Sequence, residues 1–156
     1  MNKKGFTLIE LLVVIVIIGI LATLATVALS SARMKARDAR RVSDIKQIQT
    51  AMELYYNDAL KYPEGVTKDN TIQSGTTIYM AKVPADPQNS GGNSDCAGSN
   101  PRHITYFYDT NSTKASYSIQ YCLGGTTGSI VAGTHCATPG SIDSDGVVAA
   151  DCAATP

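Results

Sequence analysis

The chain opens with one nearly unbroken apolar run. From Leu11 to Leu29 only Gly19, Thr23 and Thr26 interrupt the Leu, Ile, Val and Ala residues, and Phe6 to Ile9 extend the run toward the start. Such a stretch, apolar on every side, is about as long as the roughly 20 residues a helix needs to cross a bilayer. The pattern then changes period without stopping. Residues 33–60 contain no Gly or Pro and are rich in Ala, Arg, Lys, Gln, Met, Glu and Leu, the strong helix formers. Within them Val42, Ile45, Ile48, Met52, Tyr55, Tyr56 and Ala59 recur at steps of three and four, which draws one apolar stripe along a helix. The pattern predicts a single helix from Phe6 to about Lys61, with a first half that nothing in the chain covers and a second half that carries a core. Tyr62-Pro63-Glu64-Gly65 ends it by turn chemistry.

Farther on the period shortens to two. Ile104, Tyr106 and Tyr108 alternate with Thr105 and Phe107, and after a polar turn from Asp109 to Ala115, Tyr117, Ile119 and Tyr121 alternate with Ser118 and Gln120. This reads as an antiparallel hairpin with one face laid on the helix stripe. Ser129-Ile130-Val131-Ala132 is expected to add a short third strand. Residues Ile78 to Val83 read as a short helix or strand, stopped by Pro84 and Pro87, and the paired prolines around Asp86 stiffen a loop. Too few strands remain for a sandwich or barrel. The expected class is α+β, a small antiparallel sheet against the carboxyl half of one long helix.

At 156 residues the chain has room for one compact domain. Formal net charge is zero, yet the charge is bipolar: Arg33, Lys35, Arg37, Arg40 and Arg41 face only Asp38 within nine positions, whereas residues 42–156 hold 6 basic and 11 acidic residues. Such a block reads as a solvated helix face at lipid-headgroup level, or as a contact with the acidic domain of a neighbouring copy that guides register. No aromatic residue interleaves the block and the region beyond it is acidic, so a nucleic-acid partner is not expected. The chain contains no Gly-x-Ser-x-Gly, phosphate-cradling glycine loop or Ser/His/Asp set, and no enzyme is expected.

Glu10 is the residue that needs a reason. A removable secretory signal, with Lys3-Lys4 ahead of the run and Ala28-Leu29-Ser30 as a small-residue cut site, has no use for an acid there, nor has a plain single-pass anchor. An acid within a membrane helix is costly, on the order of 2.5–3.5 kcal/mol at the centre, and one that is retained usually has a partner and a role. The stretch Lys3-Lys4-Gly5-Phe6-Thr7-Leu8-Ile9-Glu10-Leu11-Leu12-Val13-Val14-Ile15 resembles the start of the type IV filament proteins, the type IV pilins and the pseudopilins of type II secretion. The resemblance is close over roughly residues 1–60 and architectural beyond. It implies cleavage after Gly5 by a prepilin peptidase, methylation of the new amino group on Phe6, and pairing of Glu10 with the Phe6 ammonium of a neighbouring subunit.

It also implies a layout: a leader over 1–5, a membrane and filament-core helix over 6–30, its amphipathic continuation over 31–62, and a head over 63–156. Val83-Pro84-Ala85-Asp86-Pro87 is similar to the proline-aspartate-proline element that these proteins carry ahead of their sheet. The implied function is a structural subunit, a major pilin in a surface filament serving adhesion, motility or DNA uptake. A pseudopilin or minor pilin is the alternative, and a monomeric membrane-anchored binding module a further one. Partners would be copies of itself, the peptidase, an assembly platform, minor pilins and the cytoplasmic membrane that stores the precursor. Two features depart from the resemblance. No proline lies between Phe6 and Tyr62, so local unwinding would fall to Gly19 and nearby threonines. The basic block follows the apolar run, against the positive-inside rule for that orientation.

Cys96, Cys122, Cys136 and Cys152 all lie in the last 61 residues. In an exported chain they read as two disulfides, for which three pairings exist. The expected hairpin brings its two ends together, which favours Cys96 with Cys122 and leaves Cys136 with Cys152 to staple the loop-rich tail. A zinc set of Cys96, His103, Cys122, His135 and Cys136 lacks any Cys-x-x-Cys pair. Asp143-Ser144-Asp145-Gly146 begins as calcium loops begin but lacks the terminal glutamate, so Asp143 and Asp145 stand as calcium candidates and no resident cofactor is expected.

Overall fold

The computed structural model describes residues 5–87 and 106–142. Its elements are one helix, α1 (Leu8–Ala59), and five strands: β1 (Ile72–Ser74), β2 (Thr77–Met80), β3 (Phe107–Thr110), β4 (Tyr117–Leu123) and β5 (Gly133–Ala137). The chain divides into two compact units, Met1–Arg33 and Met34–Pro156.

In the first unit every described residue, from Gly5 to Arg33, is exposed. α1 begins at Leu8 and passes Gly19 without a break. The two threonines in the apolar run satisfy their own hydroxyls: Thr23 donates to the Ile20 carbonyl and Thr26 to the Ala22 carbonyl, each at 2.8 Å. Folding each hydroxyl back onto the preceding turn keeps it bonded on an otherwise apolar surface.

In the second unit the amphipathic half of α1 packs on small antiparallel sheets, as the alternating patterns indicate. Ile45, Ile48, Ala51 and Met52 are buried together with Tyr117, Ile119, Tyr121 and Leu123 of β4, and with Tyr62, Ile72, Val83, Ile130 and Ala137. β4 is the central strand, flanked by β3 and β5 in antiparallel register (Tyr108 opposite Ile119, Cys122 opposite Thr134). Hydroxyls of core tyrosines tie the pieces together: Tyr106 donates to Asp44 at 2.9 Å, Tyr108 to the Pro63 carbonyl at 2.8 Å, and Tyr121 to the Ile142 carbonyl at 2.8 Å.

Several elements differ from the sequence expectation. α1 stops at Ala59, where Leu60 turns into the left-handed region (φ 53) and donates its N–H to the Tyr56 carbonyl. The ambiguous stretch around Ile78 is a strand, β2, and it pairs with an unexpected partner, β1, across a turn at Gly75 (φ 58). The third strand of the main sheet is Gly133–Ala137 rather than 129–132; Ile130 instead closes a small bridge with Thr127. β4 is buried at all its positions, Ser118, Gln120 and Cys122 included, so it is not the one-sided strand that its alternation suggests. The expected hairpin turn is present: Asn111 Oδ1 accepts from the Ala115 and Ser116 N–H groups at 2.9 and 3.2 Å, and Lys114 takes a positive φ of 57. Ile104 lies outside the described residues.

Candidate assembly interface

α1 starts at Leu8 because Thr7 caps it. The Thr7 N–H and hydroxyl both donate to Glu10 Oε2, at 2.8 and 2.6 Å, and the Glu10 N–H donates back to Thr7 Oγ1 at 3.3 Å. This is the reciprocal capping box of a Thr-x-x-Glu sequence, which satisfies amide groups that the first turn would otherwise leave open. The carboxylate that looks unpaired in sequence thus has a partner in its own chain. One of its oxygens is left over: among the described residues Glu10 Oε1 accepts no hydrogen bond. Phe6 is 81% exposed, and nothing stands within 4 Å of the position a side chain would take at Gly5. The Gly5–Phe6 peptide and the Glu10 carboxylate therefore share one open stretch.

The surface that follows is large and apolar. Sixteen large hydrophobic residues from Phe6 to Leu29 are exposed, from 47% for Val14 to 81% for Phe6 and Leu8. Burying half-exposed side chains of this size is worth about 1 kcal/mol each, so covering the run would release on the order of 10–20 kcal/mol. Soluble monomers do not leave such a continuous surface in water. The helix is long and apolar enough to cross a membrane.

In the second unit, the basic block does not behave as one. Arg41 is fully buried between two carboxylates that are also out of solvent. Its Nη1 donates to Asp38 Oδ1 at 2.6 Å, its Nε to Asp86 Oδ2 at 2.8 Å and its Nη2 to Asp86 Oδ1 at 3.2 Å, a two-pronged grip on Asp86. Asp38 also accepts the N–H groups of Gly124 and Gly125, at 3.1 and 2.8 Å. A Cβ at Gly125 would stand 3.2 Å from the Met34 methyl and 3.6 Å from Asp38 Oδ2, so the loop after β4 lies close against α1 here. One guanidinium thus ties α1 to the Pro84–Pro87 loop, and one carboxylate ties α1 to the end of β4. Arg41 is accordingly neither on a solvated face nor available to a neighbouring copy.

Burial alone would pull the Arg41 guanidinium down, but the hydrogen bonds and charges of Asp86 and Asp38 outweigh it and hold its pKa above the usual value. Burial pushes the Asp44 carboxyl up, only partly offset by the Tyr106 hydroxyl and the Arg40 charge. Tyr106 itself is raised far above an ordinary phenol by burial and by Asp44. At the other end of the head, Tyr79 donates to Asp58 at 2.6 Å and is pushed up to about 12 by that bond.

The structure places the remaining candidates as follows. Cys122 and Cys136 are buried in β4 and β5 and neither is a free thiol. Cys96, Cys152, His103, Asp143, Asp145 and the leader lysines lie outside the described residues. His135 is buried, bonds the Val131 carbonyl through Nε2 at 2.8 Å and leans on the Tyr121 ring. Among the described residues no three His, Cys, Asp or Glu side chains converge to hold a metal ion. The functional pieces that sequence reading passed over are Thr7, Asp38, Arg41 and the Gly124-Gly125 pair.

Residues 1–26 match the family model of the prokaryotic N-terminal methylation motif. No curated protein and no solved structure matches the chain. The match is to the amino-terminal motif alone, which takes in Gly5, Phe6 and Glu10.

Proposed function

We propose that this chain is the precursor of a type IV pilin, cut after Gly5, methylated on Phe6, stored as a single-pass protein of the cytoplasmic membrane and polymerised into a surface filament. The observation that carries the reading is the methylation motif joined to an exposed apolar helix surface with an acid at its start. A surface of that size needs either lipid or copies of itself, and transfer from one to the other is how a stored subunit would become a filament subunit. Prepilin peptidase, an assembly platform and minor pilins are the implied partners. Adhesion, motility or DNA uptake would be properties of the assembled fibre.

Glu10 supplies the register. After cleavage Phe6 bears an ammonium, and Glu10 keeps one oxygen free while Thr7 occupies the other. A carboxylate buried among apolar helices is tolerable when a cation of the next subunit completes its bonding and very costly otherwise. In the filament we assign sequential disulfides, Cys96 with Cys122 and Cys136 with Cys152, to the head.

A capped helix start also depends on Glu10, so the test must separate capping from charge. Glu10→Gln keeps a residue that serves in a capping box but removes the charge; Glu10→Val removes both. Membrane insertion should persist in both variants, and sheared-filament yield should fall at least roughly tenfold in both, the loss of one buried ion-pair partner. Normal filaments from Glu10→Gln would remove the charge pairing from the account. A pseudopilin is the second reading, favoured by the proline-aspartate-proline loop that Arg41 locks to α1; abundant long filaments made of this chain at native expression would decide for the pilin.

A further inference from the structure

The half of α1 that packs on the sheets turns a second side away from them. Ile45, Ile48 and Met52 are buried in the core, and the opposite side is bare from Ala39 to Asn57. An open groove lies along it, lined by Ala39, Val42, Ser43, Lys46, Gln47 and Thr50. Leu54 stands 51% exposed just beyond the groove. Exposed charges flank this side, and their signs are sorted along it. At about 100° per residue, Lys46 and Glu53 share one edge to within about 20°, and Arg40 and Asp58 share the other. On each edge the cation precedes the acid. Arg40 makes only a 3.9 Å approach to Asp44, and Lys46 makes no ion pair among the described residues. Glu53 Oε1 accepts from the Tyr62 hydroxyl at 3.0 Å, and Asp58 Oδ2 from the Tyr79 hydroxyl at 2.6 Å. The second oxygen of each carboxylate accepts no hydrogen bond among the described residues.

Two helices that run the same way and lie face to face bring opposite edges together, as the flanking positions of a parallel coiled coil do. Without a shift along the axis, cations would face cations and acids would face acids. A shift of about 12–13 residues, roughly 18–20 Å of helix, puts Lys46 of one copy beside Asp58 of the other and Arg40 beside Glu53. The same shift brings Leu54 level with Ala39 and Ser43, at the groove, and sets Lys35 beside Gln47 instead of a second cation. We infer that this side of α1 binds the same side of a second copy of the chain, staggered by that amount, with Lys46–Asp58 and Arg40–Glu53 fixing the register. The sheets lie on the outer sides of such a pair, because each copy packs them on its opposite helix face. The inference rests on the filament reading, which makes neighbouring helices run the same way. It concerns a different neighbour from the one that Glu10 meets, since Glu10 reaching Phe6 of another subunit needs a shift of only about four residues.

Zero-length carbodiimide coupling of sheared filaments is the test, with linked peptides identified by mass spectrometry. Lys46 and Asp58 of one copy stand about 18 Å apart along a single helix, too far for a bond without a spacer, so a Lys46–Asp58 link joins two copies. That link is the expected product. A Lys46–Glu53 link in its place means that the copies run in opposite directions and overturns the inference, as does the lack of a link from Lys46 to either acid. Charge reversal gives a second readout. Lys46→Glu sets two acids together and should lower the sheared-filament yield roughly tenfold, since like charges across an interface are strongly disfavoured. Circular dichroism of the head should stay unchanged, because Lys46 is exposed. Lys46→Glu/Asp58→Lys should recover most of the yield, and a double variant no better than the single one overturns the pairing. Filaments that form without the link defeat this interface alone; a chain that never forms filaments defeats the filament reading with it.

Discussion

Truncating Arg41 is the most demanding perturbation of the head. In the wild type three of its nitrogens are bound at 2.6, 2.8 and 3.2 Å by Asp38 and Asp86, and its side chain has no solvent exposure. Arg41→Ala removes the positive charge and leaves two carboxylates below the surface. Asp38 keeps the Gly124 and Gly125 N–H groups, but Asp86 loses both prongs of the guanidinium. Breaking a buried pair by deleting one partner costs about 3–5 kcal/mol, which for a domain of this size is a fall in melting temperature of roughly 10–20 °C. All eight tyrosines lie beyond residue 54, so near-ultraviolet circular dichroism of the full chain reports on the head rather than on the apolar helix. Arg41→Lys, a point charge without the fork, should lose about 1–3 kcal/mol. Asp38→Asn/Arg41→Met/Asp86→Asn removes charge from all three positions and should recover much of the loss. An Arg41→Ala protein melting within about 1 kcal/mol of wild type would show that the network is solvated and carries little.

Three further outcomes follow from single positions. Tyr117 is completely buried and its hydroxyl has no hydrogen-bond partner among the described residues; Tyr117→Phe should therefore be neutral or stabilising by up to about 1–2 kcal/mol in urea unfolding, and a loss above that size would reveal a bond the hydroxyl makes. Leu60 ends α1 at φ 53 while 79% exposed, so Leu60→Gly should stabilise by about 0.5–1 kcal/mol, less than the full left-handed penalty because glycine loses more freedom on folding; destabilisation would mean that the Leu60 side chain packs. For Asp44 the folded pKa lies above the unfolded one because of burial, so the folded state binds the proton more tightly. Its penalty is full at neutral pH and is relieved as pH falls through the raised folded value, which makes Asp44→Asn stabilising at pH 7 and progressively less so toward pH 4. A melting-temperature difference that is flat across that range would contradict the raised pKa.

The long helix and its stripe were readable because 3.6-residue periodicity sustained over many turns leaves little ambiguity. The same stripe runs on into the charged block. Stepping back from Met52 and Ile48 through Ile45 at threes and fours lands on Arg41 and then Asp38, both buried. Charge identity placed Arg41 in a solvated block; helical phase places it on the core face. Thr7 and Glu10 stood three apart, which is the capping-box signature, but Glu10 drew its explanation from the apolar run instead. The strands were legible only where bulky residues alternate. Tyr117, Ile119 and Tyr121 marked β4, whereas the burial of Ser118 and Gln120 depends on what covers the other face, which no local pattern encodes. β5 carries no alternating bulky residues, since Gly133, Thr134, His135, Cys136 and Ala137 become a strand because the β4 edge is there to pair with. Ser129-Ile130-Val131-Ala132 has the more strand-like residues and is not a strand.

The central claim is that this chain is processed into a filament subunit at Gly5. Intact-mass and fragment-ion spectrometry of the protein from native cells tests it most directly. A chain that begins at Phe6 with one methyl group on its α-amine is the expected result. A chain that keeps Met1 to Gly5, or one that begins near Ser31 with the apolar run removed, would contradict it.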